Sequence, residues 1–172
     1  MALAVCLLFD APGERLIRRL WARLEERGVP TLLTHTHRRH RAHLSLAVAR
    51  SWDLESLAAA LNGIPLAEPR AVSFPGVVAF TRGRAALAAG VDAGLARTQQ
   101  SVAEAVLHSG ADLHHNYLPG RWVPHVSLST GGTADRLPLI SAVVNDALPL
   151  TVAVAGAALI DSGTGRLWPW PD

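Results

Sequence analysis

Apolar positions along the chain follow two patterns, one typical of strands and one typical of helices. Residues 2–9 form a short, continuous apolar run, which predicts a buried first strand. Over residues 12–27, apolar side chains such as Leu16 and Leu20 recur every three or four positions, which predicts an amphipathic helix. Gly28 is a suitable residue to end that helix. The chain is therefore expected to begin with a strand followed by a helix.

The same order returns in the second half of the chain. A strand is predicted at 85–91, and a helix at 93–109 ends near Gly110. The other predicted elements are helices at 54–62 and 136–147 with Asp53 and Asp135 as N-caps, paired strands at 70–74 and 76–82, a long strand at 150–160 and a final segment at 166–170.

The two halves also match residue by residue. Residues 10–61 align without a gap to residues 92–143 at a constant offset of 82 positions. The matched pairs include Asp10 with Asp92, Gly28 with Gly110, and Asp53 with Asp135. Such an ordered series indicates duplicated halves. We therefore expect a single domain over residues 1–172, with an α+β fold of two pseudo-twofold-related lobes. Each lobe should be a mainly antiparallel sheet with helices on its outer face, around a central cleft.

The repeat aligns two copies of a His-x-Ser-Leu motif, which begin at His43 and His125. Side chains alternate between the two faces of a strand. His43 and Ser45 are therefore expected on one face of a strand, and His125 and Ser127 on one face of another. We expect Val48 to point the other way, into the core. A twofold axis would bring both pairs to one cleft.

Two imidazoles and two hydroxyls around one cleft suit phosphodiester hydrolysis. One histidine can take a proton from the attacking oxygen while the other protonates the leaving oxygen, and the ordinary histidine pKa permits both roles near neutral pH. The serine hydroxyls can donate hydrogen bonds to the non-bridging oxygens of the phosphate. A lone histidine on a strand is more often structural, but the duplicated pair favours a shared acid–base site. This chemistry needs neither a metal nor a cofactor.

The segment HLSL at His43 and the segment WVPHVSL around His125 resemble the paired motifs of the two-histidine phosphoesterase superfamily. Within it, the chain is most similar to the 2′-5′ RNA ligase-like proteins, also described as RNA 2′,3′-cyclic phosphodiesterases. The resemblance covers essentially the whole chain and includes Arg121 and the proline before the second histidine. It implies a V-shaped cleft and metal-free hydrolysis of cyclic or 2′-5′ phosphodiesters. It also implies catalytic roles for both histidines and phosphate-binding roles for Ser45 and Ser127.

The resemblance further implies a 2′-phosphate product, with His43 as the acid and His125 as the base. The residues themselves leave this assignment open. Arg41 and Arg121, close to the two motifs, are candidate phosphate-binding residues because a guanidinium presents a planar fork of donors. The alternative for each arginine is a solvated basic loop.

Two aromatic residues near the second motif, Tyr117 and Trp122, are candidate contacts for a nucleobase. Trp122 could instead pack beside the motif strand. The cluster of His35, His37 and His40 lacks a nearby acidic or cysteine ligand, which favours a basic rim over a metal site. We interpret the single cysteine, Cys6, as a small core residue.

Composition narrows the class of protein. A net charge of +2 argues against a general polyanion binder, although every basic residue is arginine. No apolar run approaches the roughly 20 residues of a membrane span, and no signal-peptide pattern is present. We expect a cytoplasmic monomer whose partner is an RNA or nucleotide with a cyclic or 2′-5′ phosphodiester.

Two alternatives to a 2′,3′-cyclic phosphodiesterase stay open. One is a non-catalytic nucleotide- or RNA-binding module, which the intact histidine and serine of both motifs disfavour. The other is a hydrolase of 2′-5′ oligonucleotides, cyclic oligonucleotides or ADP-ribose cyclic phosphate.

Overall fold

The computed structural model describes residues 2–65 and 71–171. The strands are β1 (Leu3–Phe9), β2 (His43–Ala49), β3 (Ala71–Phe74), β4 (Gly76–Phe80), β5 (Arg84–Ala88), β6 (His125–Ser127), β7 (Leu150–Asp161) and β8 (Leu167–Pro169). The α-helices are α1 (Ala11–Glu25), α2 (Leu54–Leu61), α3 (Ala93–His108) and α4 (Leu137–Val144). Short 3-10 turns lie at His115–Tyr117, Ala134–Arg136 and Asn145–Ala147.

The strands form two antiparallel sheets. The larger sheet has the order β2-β1-β7, and both β3 and β8 pair with β7. The smaller sheet has the order β4-β5-β6. The predicted α+β class with two mainly antiparallel sheets is confirmed.

The two motif strands sit in their sheets in the same way. The cross-strand pairs are Leu8 with His43 and Cys6 with Ser45 in the larger sheet, and Ala88 with His125 and Ala86 with Ser127 in the smaller one. Each motif histidine and serine therefore faces a neighbouring strand at equivalent positions. Cys6 and Ala86 occupy equivalent positions, each opposite a motif serine. The two lobes therefore differ at this position, where one has a thiol and the other a methyl group.

The repeat is also visible at the ends of the long helices. The side chains of Asp10 and Asp92 accept a backbone N–H three residues further on, at 2.8 and 2.6 Å, and so cap α1 and α3. Gly28 and Gly110 follow these helices with φ of +74° and +79°, the left-handed conformation that favours glycine.

The second pair of helices departs from the repeat. Asp53 caps α2, as predicted, but Asp135 lies inside a 3-10 turn and does not cap α4. The prediction for Asp135 is wrong because α4 begins at Leu137, which places Arg136 and not Asp135 at the N-cap position, and Pro138 lies in the first turn. Proline is pre-organised for that position and lacks one of the amide hydrogens that a cap would satisfy.

The predicted pairing between 70–74 and 76–82 is also wrong. Strands do form there, but β3 pairs with β7 and β4 pairs with β5, so the chain passes from one sheet to the other at Pro75. A single residue is shorter than the two-residue loops of the tightest common hairpins. Residue 70 lies outside the described residues.

A β-bulge in β2 changes which side chains face the cleft. Val5 pairs with Ala47 but the next residue, Cys6, pairs with Ser45, so β2 contains one extra residue. The extra residue shifts the alternation and turns Val48 to the same side as Ser45, where it lines a cavity. The expectation that Val48 points into the core is therefore wrong.

Most buried side chains form one cluster shared by both sheets, with Leu44 from the first motif strand and Val126 from the second. A smaller cluster on the opposite face of β1 and β7 contains Cys6, Leu8 and Ile160. The apolar backing behind each motif strand fixes the face that carries the histidine and serine. Within the described residues, no helix has the length and apolarity needed to cross a membrane.

Candidate active site

The two motif histidines are anchored by the same local contact. The Nδ1 atom of His43 lies 2.8 Å from the carbonyl oxygen of Arg41, and that of His125 lies 2.7 Å from the carbonyl oxygen of Val123. Because a carbonyl oxygen can only accept, Nδ1 carries the hydrogen in both rings. This leaves Nε2 of each imidazole to exchange a proton with a ligand.

The motif strands β2 and β6 lie in contact, although they belong to different sheets. The charge of His43 is one of the causes that lower the pKa of His125, so the two imidazoles are within electrostatic reach of each other. The structure therefore brings the two motif strands into contact, although His43 and Ser45 do not line the cavity beside the second motif.

A cavity of about 480 Å³ opens beside the second motif. Five predicted site residues line it, namely Tyr117, Arg121, Trp122, His125 and Ser127. Two arginines, including Arg84, and no aspartate or glutamate occur among the described residues that line it. The cavity is thus suited to an anionic ligand.

Ser45 of the first motif is held from three sides. The Trp122 indole N–H donates to the backbone carbonyl of Ser45 at 3.0 Å, and the Cys6 Sγ lies 3.7 Å from the Ser45 Oγ. The Tyr117 hydroxyl also lies near Ser45, which acts to lower its pKa. Burial, together with the nearby Cys6, raises the pKa of Tyr117 to about 12, so its hydroxyl stays protonated. Both aromatic residues thus join the cavity to the first motif, and base contact by either stays a prediction.

The pKa values of the two histidines are shifted in opposite directions. Burial is the main cause that lowers the pKa of His125, aided by the charges of His43 and Arg84 and opposed by the Val123 carbonyl. The Phe80 ring packs against the His125 ring, with centroids 4.8 Å apart, and contributes to that burial. His125 is therefore neutral at neutral pH, as a general base must be.

Burial also acts to lower the pKa of His43, but other groups outweigh it. The nearby Cys6 sulfur, the Arg41 carbonyl and the Glu14 carboxylate together raise the pKa to about 9. His43 is therefore protonated at neutral pH and can act as a general acid. A pair of titratable groups with separated pKa values is typical of acid–base catalysis.

Arg41 contributes to this site through its backbone. Its guanidinium Nε lies 3.9 Å from the Glu14 carboxylate, and its carbonyl anchors His43. Glu14 also accepts the amide hydrogen of Ala42, which ties the start of β2 to α1. Phosphate binding by Arg41 stays a prediction, since its guanidinium already has an acidic partner.

The residues at the site that the sequence did not predict include Phe80, Arg84 and Cys6. Phe80 and Arg84 pair with each other across the hairpin of β4 and β5, and both line the cavity. Arg84 and Ala86 alternate along β5 and so share one strand face, which is the sequence signal that could have found this side of the cavity. Cys6 is buried as expected, yet it contacts Ser45. No sequence signal distinguishes it from a core residue.

The histidine cluster before the first motif forms a packed group. The ring centroids of His37 and His40 are 4.0 Å apart, and His35 lies 5.8 Å from His40. The His40 Nε2 lies 2.8 Å from the Thr36 hydroxyl. In the described part of the chain, no three histidine, cysteine or acidic residues are arranged to hold a metal ion.

Two antiparallel sheets whose His-x-Ser strands lie in contact define a two-histidine phosphoesterase, an enzyme that acts on phosphodiester bonds. The sequence model of the 2′-5′ RNA ligase superfamily matches residues 10–166. The chain therefore belongs to the 2′-5′ RNA ligase superfamily.

Solved structures share the fold at low sequence identity. LigT of Escherichia coli in its apo form superposes with a TM-score of 0.64 and 16% identity, covering 98% of this chain and 93% of LigT. LigT complexed with 3′-AMP gives a TM-score of 0.62 and 17% identity, covering 97% and 92%. Usb1 of Kluyveromyces marxianus gives 0.54 and 15% identity, covering 99% and 98%. A comparison with curated protein sequences finds no match.

Proposed function

We propose that the protein hydrolyses nucleoside 2′,3′-cyclic phosphates, on RNA ends or on small nucleotides, by metal-independent two-histidine catalysis. The observation that carries the proposal is the pair of motif histidines, which share the same Nδ1 anchor but have pKa values shifted in opposite directions. A neutral base and a protonated acid are thus both available at neutral pH.

In the proposed reaction, water attacks phosphorus on the side opposite the 3′ oxygen. The His125 Nε2 takes a proton from the water as its oxygen bonds to phosphorus, and the His43 Nε2–H gives a proton to the 3′ oxygen as the P–O3′ bond breaks. The product is a 2′-phosphate. Afterwards His125 releases its proton and His43 regains one from solvent. Ser45 and Ser127 donate to the non-bridging oxygens, where negative charge is held in the transition state.

Two further observations support a nucleotide substrate. The cavity volume of about 480 Å³ lies in the range of small-ligand sites. The described residues on its wall include two arginines and no carboxylate, which favours an anion. The related LigT has been solved with 3′-AMP. We also propose that the protein acts as a monomer in the cytoplasm, since one chain supplies both motifs and its single cysteine cannot form an internal disulfide.

The test is a substrate panel assayed in the presence of EDTA. The panel contains 2′,3′-cyclic mononucleotides, an oligonucleotide ending in a cyclic phosphate, 2′-5′ dinucleotides and ADP-ribose 1″,2″-cyclic phosphate. We expect turnover of the 2′,3′-cyclic phosphates to survive the chelator, because side chains supply both proton transfers and the charge stabilisation. Loss of turnover on chelation that a divalent ion restores would contradict the metal-independent mechanism.

The panel also separates the alternatives. Turnover restricted to 2′-5′ bonds or to ADP-ribose cyclic phosphate would reassign the substrate but retain the mechanism. Tight binding of nucleotides without turnover of any member would instead identify a binding module.

A further inference from the structure

Arg84 is a cation on the cavity wall that the proposed reaction does not use. It lies at the start of β5, on the strand face shared by Ala86 and Ala88, which pair with Ser127 and His125. Successive residues on one face of a strand are about 6.6–6.8 Å apart. The backbone of Arg84 therefore lies about 7 Å along β5 from Ala86, the residue that pairs with Ser127. The scissile phosphate is proposed to bind beside Ser127.

The guanidinium of Arg84 is oriented but not neutralised. Its Nε donates to the backbone carbonyl of Thr81 at 3.2 Å, which leaves the two terminal nitrogens for a ligand. The ion pairs found among the described residues do not include Arg84, and no described acidic residue lines the cavity. Its charge reaches His125, whose pKa it helps to lower. An oriented guanidinium fork without a carboxylate partner suits a phosphate.

We infer that Arg84 binds a second phosphate of the substrate, one that is additional to the cyclic phosphate held by the two motifs. The inference rests on the proposed function and narrows its substrate class to nucleotides with at least two phosphate groups. The second phosphate has two chemical sources. It is either the 5′-phosphate of a small nucleotide or the adjacent internucleotide phosphate of an RNA end.

Three substrates test this inference and distinguish the two sources. Adenosine 2′,3′-cyclic phosphate has one phosphate, its 5′-phosphorylated form adds a terminal phosphate, and the dinucleotide ApA with a 2′,3′-cyclic end adds an internucleotide phosphate. The measured quantity is the ratio of kcat/KM for each two-phosphate substrate to that for the one-phosphate substrate. This ratio cancels any effect of a substitution on the chemical step that all three substrates share.

We expect the parent protein to prefer a two-phosphate substrate by about tenfold or more, the scale of one charge-assisted contact. Arg84→Gln should remove that preference, and Arg84→Lys should retain part of it, because lysine keeps the charge but not the fork. Arg15→Gln, at an exposed position on the outer side of α1, is the matched control and should keep the parent's ratios. A preference that falls with added salt would agree with an exposed cation.

The outcomes separate this inference from the proposed function. Loss of preference for the 5′-phosphorylated nucleotide alone, or for the dinucleotide alone, supports the inference and identifies the source. Equal ratios in the parent and Arg84→Gln overturn it while the hydrolase stands.

A binding measurement covers the case in which the parent hydrolyses none of the three substrates. Calorimetric affinities for adenosine 2′,5′-bisphosphate and adenosine 2′-phosphate should then differ in the parent but not in Arg84→Gln. Equal affinities in the parent would overturn the inference.

Discussion

At the residue scale, the proposed reaction divides its work between two imidazoles and two hydroxyls. General acid–base groups contribute about 10²–10⁴-fold to rate, so His43→Ala and His125→Ala should each lose roughly that factor in kcat. Ser45→Ala and Ser127→Ala remove only a donor to the phosphate and should lose about 10–100-fold. Steady-state kinetics on a 2′,3′-cyclic mononucleotide measure these losses.

A matched histidine control is available on the outer face of α3. His108 is exposed, and His108→Ala should turn over substrate at the parent rate. Parent-like turnover by folded His43→Ala or His125→Ala would rule out the two-histidine mechanism for this protein.

The difference between Cys6 and its counterpart Ala86 makes a prediction about pH dependence. His125 must be neutral to act as base, so activity should rise with pH through its lowered pKa, below the ordinary 6.5. His43 must be protonated to act as acid, so activity should fall as pH rises through about 9. Cys6→Ala removes one cause of the raised pKa of His43, while Glu14 and the Arg41 carbonyl remain. The alkaline limb should therefore move to lower pH.

Profiles of kcat/KM between pH 5 and 10 would measure both limbs. The acidic limb serves as the internal control, because Cys6 is not among the groups that shift the pKa of His125. An alkaline limb that stays in place in Cys6→Ala would show that Cys6 does not control the protonation of His43.

At the scale of elements, the sequence predicts what depends on local pattern and misses what depends on pairing. Asp10, Gly28 and their repeat partners mark the long helices because a cap or a left-handed residue acts on its own neighbours. The bulge beside Val48 and the crossing of the chain at Pro75 depend on which strand lies alongside. Such neighbours come from elsewhere in the chain, so periodicity alone does not reveal them.

His40, in the segment between α1 and β2, is expected to make the stability of the protein depend on pH. Burial and the charges of His37, His35 and His43 lower the pKa of His40 to about 4. In the unfolded chain the same imidazole protonates near pH 6.5. Between these values the unfolded state binds more protons, so the free energy of unfolding should fall as pH decreases from 6.5 towards 4.

One histidine can lower the free energy of unfolding by at most about 1.4 kcal/mol per pH unit. His40→Gln keeps a polar group near Thr36 but removes the titration, so its urea-unfolding free energy should decline less steeply than that of the parent. His108→Gln, at an exposed position, should follow the parent curve. Identical slopes for the parent and His40→Gln would contradict this assignment.

At the scale of the whole molecule, the two halves are joined by reciprocal hydrogen bonds to the motif strands. The Trp21 indole in α1 donates to the Ser127 carbonyl at 2.8 Å, and the Trp122 indole from the second half donates to the Ser45 carbonyl at 3.0 Å. From the duplicated motifs the sequence predicts His43 and His125 as the acid–base pair, and their joint action stays a prediction. It does not predict these tryptophan contacts, because Trp21 and Trp122 are not partners in the repeat.

The reciprocal bonds predict that the two tryptophans differ in their effect on stability. Trp21 is fully buried, so Trp21→Phe leaves the Ser127 carbonyl without its donor and reduces the packed volume. A buried polar group that loses its partner costs about 1–3 kcal/mol. Trp122 is only partly buried, and water can reach the Ser45 carbonyl in Trp122→Phe, so the loss of stability should be smaller.

Urea unfolding of both variants measures the difference in stability. The kcat/KM of Trp21→Phe should fall as well, because Ser127 is no longer held in place. A Trp21→Phe variant that matches the parent in stability and activity would show that the bond from α1 does not maintain the geometry of the second motif.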